Sequence, residues 1–259
     1  IDTGIIPDLV KLVQTSSELK IQAEASWCLA NFCSGTEEQT LKVVCKAGIP
    51  CFLAALKSSG DEVVENAFWG IANLAGTSTQ IRDMLLKIQP DLIEKIVEIL
   101  QDTTCLSLKR SGTWVLSNIC KEPEPSYDQI ESAIPMLCEY LDTEDDSNIL
   151  ENVVWALFSI SNTDEGLDEI ISYDITSRLV SLLENSPSSF CSPYLRIIGN
   201  IVSGSDQQTA QILEEKKLFP CLLKLLDHEE SQLRKETLWI LSNITAGLPP
   251  QFEKIMRNP

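Results

Sequence analysis

The strongest constraint on the fold is a tryptophan-containing segment that recurs along the chain at a nearly constant interval. Five segments contain a tryptophan, and a sixth, related segment, LRIIGNIVSG, has Arg196 at the tryptophan position. The spacings between successive tryptophan or arginine positions are 42, 45, 41, 41 and 43 residues. A period in this range is typical of an α-solenoid with two or three helices per repeat. The tryptophan segments are SWCLANFCSG, FWGIANLAG, TWVLSNICK, VWALFSISN and LWILSNITAG, and they contain all five tryptophans of the protein, Trp27, Trp69, Trp114, Trp155 and Trp239.

The parts of each repeat follow the same order. An entry containing Gly or Pro comes first, as in AGIPCFLAALKSS at 47–59, and a short polar turn leads into the tryptophan helix. A further short helix, such as EEQTLKVVCKA at 37–47, leads to the next entry. No segment alternates with the period of two that indicates a strand. We therefore predict an all-α solenoid with three helices per repeat.

The repeats divide the chain into units of similar length. We predict one domain over 1–259, with units at about 1–34, 35–76, 77–121, 122–162, 163–204 and 205–247 and a partial unit at 248–259. Because the chain begins at Ile1 rather than Met, and its final PPQFEKIMRNP is similar to the first helix of a repeat, we expect it to be a fragment. Tryptophan helices that end at glycine predict a left-handed C-cap at Gly35, Gly76, Gly204 and Gly247.

Most of these helices also have an asparagine four residues after the tryptophan, on the same helix face. The asparagines are Asn31, Asn73, Asn118, Asn200 and Asn243, and only Ser159 departs from the pattern. Two interpretations are open. The amide can hydrogen-bond a backbone carbonyl of the neighbouring repeat and tie the repeats together, or the tryptophan–asparagine pairs can form a surface that binds a guest chain.

The guest interpretation follows from simple geometry. Packed helices lie about 8–10 Å apart and an extended peptide advances about 3.3 Å per residue, so one repeat meets about three peptide residues. An asparagine amide both donates and accepts, and therefore suits peptide N–H and C=O groups of any sequence. Neighbouring indoles are expected to form slots for the aliphatic stems of Lys and Arg, with cation–π attraction to their charged ends.

Composition favours a basic partner and gives no sign of catalysis. The chain has 20 Lys and Arg against 38 Asp and Glu, a formal net charge of −18, which repels nucleic acid and anionic membranes and attracts basic chains; solubility alone is the other explanation of this charge. With one histidine, His228, and no nucleotide-binding loop, we expect no metal, no cofactor and no enzyme activity. The cysteines among apolar helix residues are expected to be small buried side chains: Cys28, Cys33, Cys51, Cys120 and Cys221.

The tryptophan segments closely resemble the armadillo repeats of importin α, an adaptor that binds classical nuclear localisation signals. The resemblance rests on SWCLANFCSGTEEQT, FWGIANLAG, TWVLSN, LRIIGNIVSGSDQQT and LWILSNITAG, and extends over essentially the whole chain. It implies a right-handed armadillo α-solenoid, a divergent member truncated at both ends. It also implies a nuclear import adaptor of the cytoplasm and nucleus that binds Lys/Arg-rich cargo signals in an extended conformation along a concave face. Importin β is expected to bind only through an N-terminal segment that this chain lacks.

The resemblance also implies two binding sites for the peptide, which would run antiparallel to the repeats. By motif position, the major site comprises Trp27, Asn31, Gly35, Thr40, Asn66, Trp69, Asn73, Thr77, Trp114 and Asn118. The minor site comprises Arg196, Asn200, Val202, Asp206, Thr209, Glu236, Trp239 and Asn243.

Two positions depart from the family pattern. Thr77 stands where the family has an aspartate that anchors a lysine, and a charge-assisted bond of that kind contributes about 1.5–3 kcal/mol. This departure predicts a weakened major site, with either a preference for the minor site or a different guest residue at the anchor position. Ser159 stands where the family commonly has tyrosine, between the two sites. The alternative function is an armadillo scaffold for a different protein partner; one that binds acidic partners would need a basic groove, and the net charge has the opposite sign.

Overall fold

The computed structural model describes residues 4–249, and this range is helical with no strands. The residues divide into two compact units, Ile1–Ala133 and Ile134–Pro259. The single domain predicted for the whole chain stays a prediction, and most of the predicted partial repeat, 250–259, lies outside the described residues. None of the helices in the described range is long and apolar enough to cross a membrane.

The first unit has nine α-helices in its described part, followed by a short 3-10 turn at Glu131–Ala133. The helices are α1 (Ile5–Thr15), α2 (Leu19–Cys33), α3 (Glu37–Val44), α4 (Gly48–Ala55), α5 (Asp61–Thr77), α6 (Thr79–Ile88), α7 (Leu92–Asp102), α8 (Leu106–Ile119) and α9 (Tyr127–Ile130). Three helices per repeat are confirmed here, since α2, α5 and α8 each contain a tryptophan segment. Helix α2 packs against α5, and α5 packs against α8.

The second unit repeats this order through residue 249. Its helices are α10 (Ile134–Thr143), α11 (Ser147–Ile160), α12 (Asp164–Ser172), α13 (Thr176–Asn185), α14 (Cys191–Ser203), α15 (Asp206–Ile212), α16 (Leu218–Leu226) and α17 (Ser231–Ala246), with a 3-10 turn at Ser188–Phe190. Helices α11, α14 and α17 contain the Trp155, Arg196 and Trp239 segments, and α14 packs against both α11 and α17.

The apolar face of each tryptophan helix forms the core of its repeat. In α5, Phe68, Ile71 and Leu74 are fully buried, whereas Trp69 on the same helix is 46% exposed. Burial of one such aliphatic or aromatic side chain contributes about 1.5–3 kcal/mol. The core is therefore complete without the indole, and the tryptophan is left at the surface.

A capping-box turn preceded by Ser-Gly follows α2 in the first unit and α14 in the second. In SGTEEQT at 34–40, Thr36 and Gln39 form a capping box at the start of α3, and in SGSDQQT at 203–209 Ser205 and Gln208 do the same for α15. Such boxes satisfy backbone N–H groups that the first helical turn leaves without partners. These turns fix the chain path immediately after α2 and α14.

The left-handed caps predicted at the glycines were wrong. Gly204 and Gly247 have φ values of −78° and −79°, and Gly76 lies inside α5. Glycine is needed for space instead, because a Cβ on Gly35 would lie 2.0 Å from Oε1 of Gln39 and one on Gly204 would lie 2.1 Å from Oε1 of Gln208. In these two turns the glutamine oxygen therefore leaves room only for glycine, whereas the capping box of Ser126 and Gln129 at α9 is preceded by Pro125.

The cysteines are mostly buried, as predicted, but Cys28 is exposed. Burial raises the pKa of the thiols of Cys33, Cys51 and Cys120 to about 12. A buried thiol with so high a pKa stays neutral and inert at physiological pH. Cys28 is exposed because it directly follows Trp27 on the outward side of α2.

Candidate functional site

Exposed indoles mark one face of the tryptophan helices. Trp27 is 51% exposed, Trp69 46% and Trp239 40%, whereas Trp114 is partly buried. We call the pairs on α2, α5 and α8 the first ladder (Trp27/Asn31, Trp69/Asn73, Trp114/Asn118) and the pairs on α14 and α17 the second ladder (Arg196/Asn200, Trp239/Asn243). A row of large exposed aromatic side chains is characteristic of a binding surface.

The asparagines of the first ladder link adjacent tryptophan helices. Nδ2 of Asn73 donates to the carbonyl oxygen of Ala30 at 3.1 Å, and Nδ2 of Asn118 donates to that of Ala72 at 3.2 Å. Asn66, two turns earlier on α5, donates to the carbonyl of Ala23 at 3.0 Å. The asparagine side chains therefore do link neighbouring repeats, as the first interpretation expects. Each bond uses one of the two amide hydrogens, so the guest-binding interpretation stays compatible with it.

Two indoles of the first ladder touch each other. The ring centroids of Trp69 and Trp114 are 5.6 Å apart and the ring planes are inclined by 68°, an edge-to-face contact. The slot that the sequence predicts between neighbouring indoles is closed for this pair. Nearer the N-termini of the same helices, the hydroxyl of Ser107 donates to Oε2 of Glu65 at 2.8 Å.

The remaining major-site residues lie at the ends of α2 and α5. Thr77 is the last residue of α5, and its hydroxyl donates to the carbonyl of Asn73 at 2.7 Å. Thr40 is fully buried, with its hydroxyl 3.1 Å from the carbonyl of Cys33, while Gly35 is exposed on the turn before it. This geometry gives Thr40 a supporting position beneath the turn, and Thr77 presents a neutral group where the family has a carboxylate.

The second ladder contains a buried carboxylate. Glu236 on α17 is only 6% exposed, and its Oε1 accepts hydrogen bonds of 2.9 Å from Ser192, Arg196 and Gln232. Its other oxygen, Oε2, is buried without a hydrogen-bond partner among the described residues. A buried carboxylate oxygen is costly to leave without a donor. Because Oε2 has almost no exposed surface, a basic group brought by a guest would reach it only after a local shift of the side chains around it.

Arg196 fills the place of a tryptophan and is held on two sides. Its guanidinium carbon lies 5.2 Å from the ring centroid of Phe158, and its Nε donates to Glu236. Phe158 in turn makes an edge contact with Trp155, with centroids 5.9 Å apart. These contacts fix a positive charge within the second ladder, at the position where Trp239 places an indole.

The second-ladder asparagines bond to side chains of the preceding repeat instead of carbonyls. Nδ2 of Asn200 donates to Ser161 at 2.8 Å and to Oδ1 of Asn162 at 3.0 Å, and Nδ2 of Asn243 donates to Ser203 at 2.6 Å. Both amide hydrogens of Asn200 are used, so it can offer a guest only an acceptor.

The three other minor-site residues lie around the second capping-box turn. Val202 and Thr209 are buried, and the hydroxyl of Thr209 lies 3.2 Å from the carbonyl of Ser205. Asp206 is exposed in the first turn of α15. Of these three side chains, only that of Asp206 faces solvent.

Sequence reasoning missed a supporting position, which lies three residues after the tryptophan or arginine of a repeat. In two repeats the residue at this position lies beneath the tryptophan or arginine side chain of the following repeat. The indole of Trp239 lies so close to Gly199 that a Cβ there would be 1.9 Å from its Cζ3. The guanidinium of Arg196 lies over Phe158. A sequence signal was present, because these positions are small in every repeat except one: Ala30, Ala72, Ser117, Phe158, Gly199 and Ser242.

Comparison with known proteins agrees with this arrangement. The model for Armadillo/beta-catenin-like repeats matches residues 1–34 and 36–76. A designed armadillo repeat protein in complex with the peptide (KR)4 superposes with a TM-score of 0.78, at 24% identity, over 92% of this chain and 98% of that one. The chain has an armadillo-repeat fold, and its residues 1–34 and 36–76 belong to the armadillo repeats. A second model, described as Neurochondrin, matches residues 100–257, more than half of this armadillo chain, so this part also belongs to the family of that model.

The curated relatives confirm the resemblance to importin α. The armadillo chain is 36% identical to importin subunit alpha-1a of Oryza sativa subsp. japonica over 99% of its length and 48% of that protein. It is also 36% identical to importin subunit alpha-3 of Arabidopsis thaliana, over 92% of this chain and 45% of that one. The chain spans about half the length of these relatives.

Proposed function

We propose that this chain is a nuclear import adaptor that binds Lys/Arg-rich localisation signals as extended peptides along its two ladders, in cytoplasm and nucleus. The observation that carries the proposal is the row of half-exposed indoles with an asparagine one turn further along each helix. The relatives named importin α subunits and the designed armadillo protein that holds a (KR)4 peptide support it. No bond is made or broken in this function.

The ladders suit a basic peptide for physical reasons. Indole faces pack against aliphatic stems and attract the cation at their ends, with about 0.5–2 kcal/mol per contact. Asparagine amides that still have a hydrogen or an oxygen available pair with the peptide backbone without selecting sequence. The net charge of −18 adds long-range attraction that speeds association and weakens as salt is added.

We further propose that the second ladder binds the basic signal more tightly than the first. Glu236 offers a buried carboxylate oxygen there, whereas the end of α5 offers only the hydroxyl of Thr77, already bonded to Asn73. A charge-assisted hydrogen bond contributes about 1.5–3 kcal/mol, roughly ten-fold or more in affinity.

The test is a titration of a labelled lysine-rich peptide against the parent chain and two double variants, Trp69→Ala/Asn73→Ala and Trp239→Ala/Asn243→Ala. Because each asparagine also links two helices, thermal unfolding of every variant is measured alongside to separate binding from stability. We expect the second double variant to lose most of the affinity.

The other outcomes are equally informative. Loss confined to the first double variant shows that the first ladder dominates in spite of Thr77. If the parent chain binds no basic peptide even at low salt, the adaptor function is wrong and a scaffold for a different partner takes its place.

A further inference from the structure

The contact between Trp69 and Trp114 bears on what the first ladder accepts. A methylene stem held between two aromatic faces needs van der Waals contact of about 3.5–4.0 Å on each side, so the faces must be about 7 to 8 Å apart. The two ring centroids are 5.6 Å apart, and the planes are inclined by 68°. No lysine or arginine stem fits between these rings unless one of them rotates away.

Two hydrogen bonds across the same pair of helices flank this contact. Ser107 on α8 donates to Glu65 on α5 on one side, and Asn118 on α8 donates to the carbonyl of Ala72 on the other. The aromatic contact thus lies between two cross-helix bonds that hold α5 and α8 together. The carboxylate of Glu65, which a basic guest would seek, already accepts a hydrogen bond.

The α2–α5 interval is built differently on the same face. Asn66 and Asn73 link the two helices, as Asn118 does in the α5–α8 interval. Trp27 is 51% exposed, the largest exposed fraction of any tryptophan in the chain, whereas Trp114 is partly buried. The difference between the two intervals is therefore in the indoles and not in the asparagine bonds.

We propose that Trp114 sets the specificity of the first ladder by closing the α5–α8 interval to long basic side chains, so that this ladder prefers a guest with a short side chain opposite that interval. The proposal rests on the proposed function, since it concerns the same peptide. Trp114 is then a selectivity residue whose indole contacts Trp69 in place of the guest. The basic side chains of the guest are confined to the neighbouring interval, between Trp27 and Trp69.

The direction in which Trp114→Ala changes the peptide affinity distinguishes a closed interval from an open one. In this test and in the peptide scan, both proteins carry Trp239→Ala/Asn243→Ala, so that the first ladder is the site that the peptide occupies. If the interval is closed, Trp114→Ala opens it, and a lysine-rich peptide binds roughly two- to ten-fold more tightly, the range expected for release of one aromatic contact. If the interval is open and the indole packs on a stem, the same variant binds more weakly. Trp27→Ala is the matched control, which weakens binding in either case because its indole faces an accessible interval.

A scan of the peptide removes the need to know its register. Each residue of (KR)4 is replaced by alanine in turn, and the affinity of every peptide is measured with the parent chain and with Trp114→Ala. We expect one position at which alanine leaves binding to the parent unchanged or tighter but weakens binding to Trp114→Ala. A scan in which every substitution weakens both proteins equally overturns the proposal.

The indole contact is also tested without any peptide. Two touching indoles give an exciton band in far-ultraviolet circular dichroism, which should vanish in Trp69→Phe and in Trp114→Phe but persist in Trp27→Phe. Absence of the band from the parent chain overturns the proposal even if the peptide binds. Failure of the parent to bind (KR)4 instead overturns the proposed function, and the selectivity with it, whatever the band shows.

Discussion

The close approach of Trp239 to Gly199 makes the substitution Gly199→Ala a sharp test of how the second ladder is built. The added Cβ would lie 1.9 Å from Cζ3 and 2.6 Å from Cη2 of the indole. Carbon atoms pack at about 3.5–4.0 Å, so the ring must retreat by about 1.6 Å or more. Because Trp239 is 40% exposed, the ring can move outward without disturbing the core.

Two effects of opposite sign follow from this substitution. Displacing the indole removes its contact with a basic guest side chain, which costs about 0.5–2 kcal/mol, or roughly two- to thirty-fold in affinity. Alanine in place of glycine inside α14 favours the helix by about 0.8–1 kcal/mol. In the parent chain the clash with the indole offsets this gain in helix stability, whereas in a Trp239→Ala background the clash is absent and the gain is expected in full.

The assay is a double-mutant cycle of Gly199→Ala and Trp239→Ala. Fluorescence anisotropy of a labelled lysine-rich peptide gives the affinities, and urea unfolding gives the stabilities. We expect Gly199→Ala to weaken binding only while Trp239 is present, and to raise the free energy of unfolding of Trp239→Ala. Weaker binding in the double variant than in Trp239→Ala alone would refute the reasoning, as would a loss of stability on adding Gly199→Ala to that background.

Three further predictions concern other parts of the chain. Thr77→Asp should tighten binding of a lysine-rich peptide by roughly ten-fold while lowering the melting temperature slightly, because an anion at a helix C-terminus costs about 0.3–1 kcal/mol; unchanged affinity would count against a weakened first ladder. The backbone N–H groups of Leu108 and Ser107 lower the pKa of the Cys105 thiol, so Cys105 should react with iodoacetamide at a lower pH than an unperturbed exposed thiol, as peptide mass mapping would show. Burial raises the pKa of the Cys120 thiol from 9.0 to about 12, so the neutral thiol stabilises the fold below pH 9 and this contribution is lost as the pH rises towards 12. Between these pH values the free energy of unfolding measured with urea should fall by about 1.4 kcal/mol per pH unit because of this thiol. A Cys120→Ala variant with the same slope would contradict this.

The fold was predictable because it rests on periodicity. The interval between tryptophans and the apolar residues around them determine which helix faces are buried, and both are properties of the linear sequence. The outward position of Trp69 followed from the same pattern, since Phe68, Ile71 and Leu74 already supply the core. The roles assigned to the site residues stay predictions until a peptide is bound.

Features that depend on packing between repeats were beyond the sequence. The contact of Trp69 with Trp114 is set by the rotamers of two side chains 45 residues apart, and no local pattern specifies these. The reason for Gly35 was likewise misjudged, because the glutamine oxygen that requires the space belongs to the following capping box. Cys28 was expected to be buried, but it lies next to Trp27 on the exposed side of α2.

The contact between Trp239 or Arg196 and the residue beneath it affects how the sequences of such chains can diverge. Trp239 needs the flat surface of Gly199, and Arg196 uses the ring of Phe158 as its support. A change in what one repeat recognises therefore demands a compensating change about 40 residues earlier, so the two positions should co-vary as a pair. A designer who wants to convert the Arg196 repeat into a tryptophan repeat would have to exchange two residues together, Arg196→Trp with Phe158→Gly.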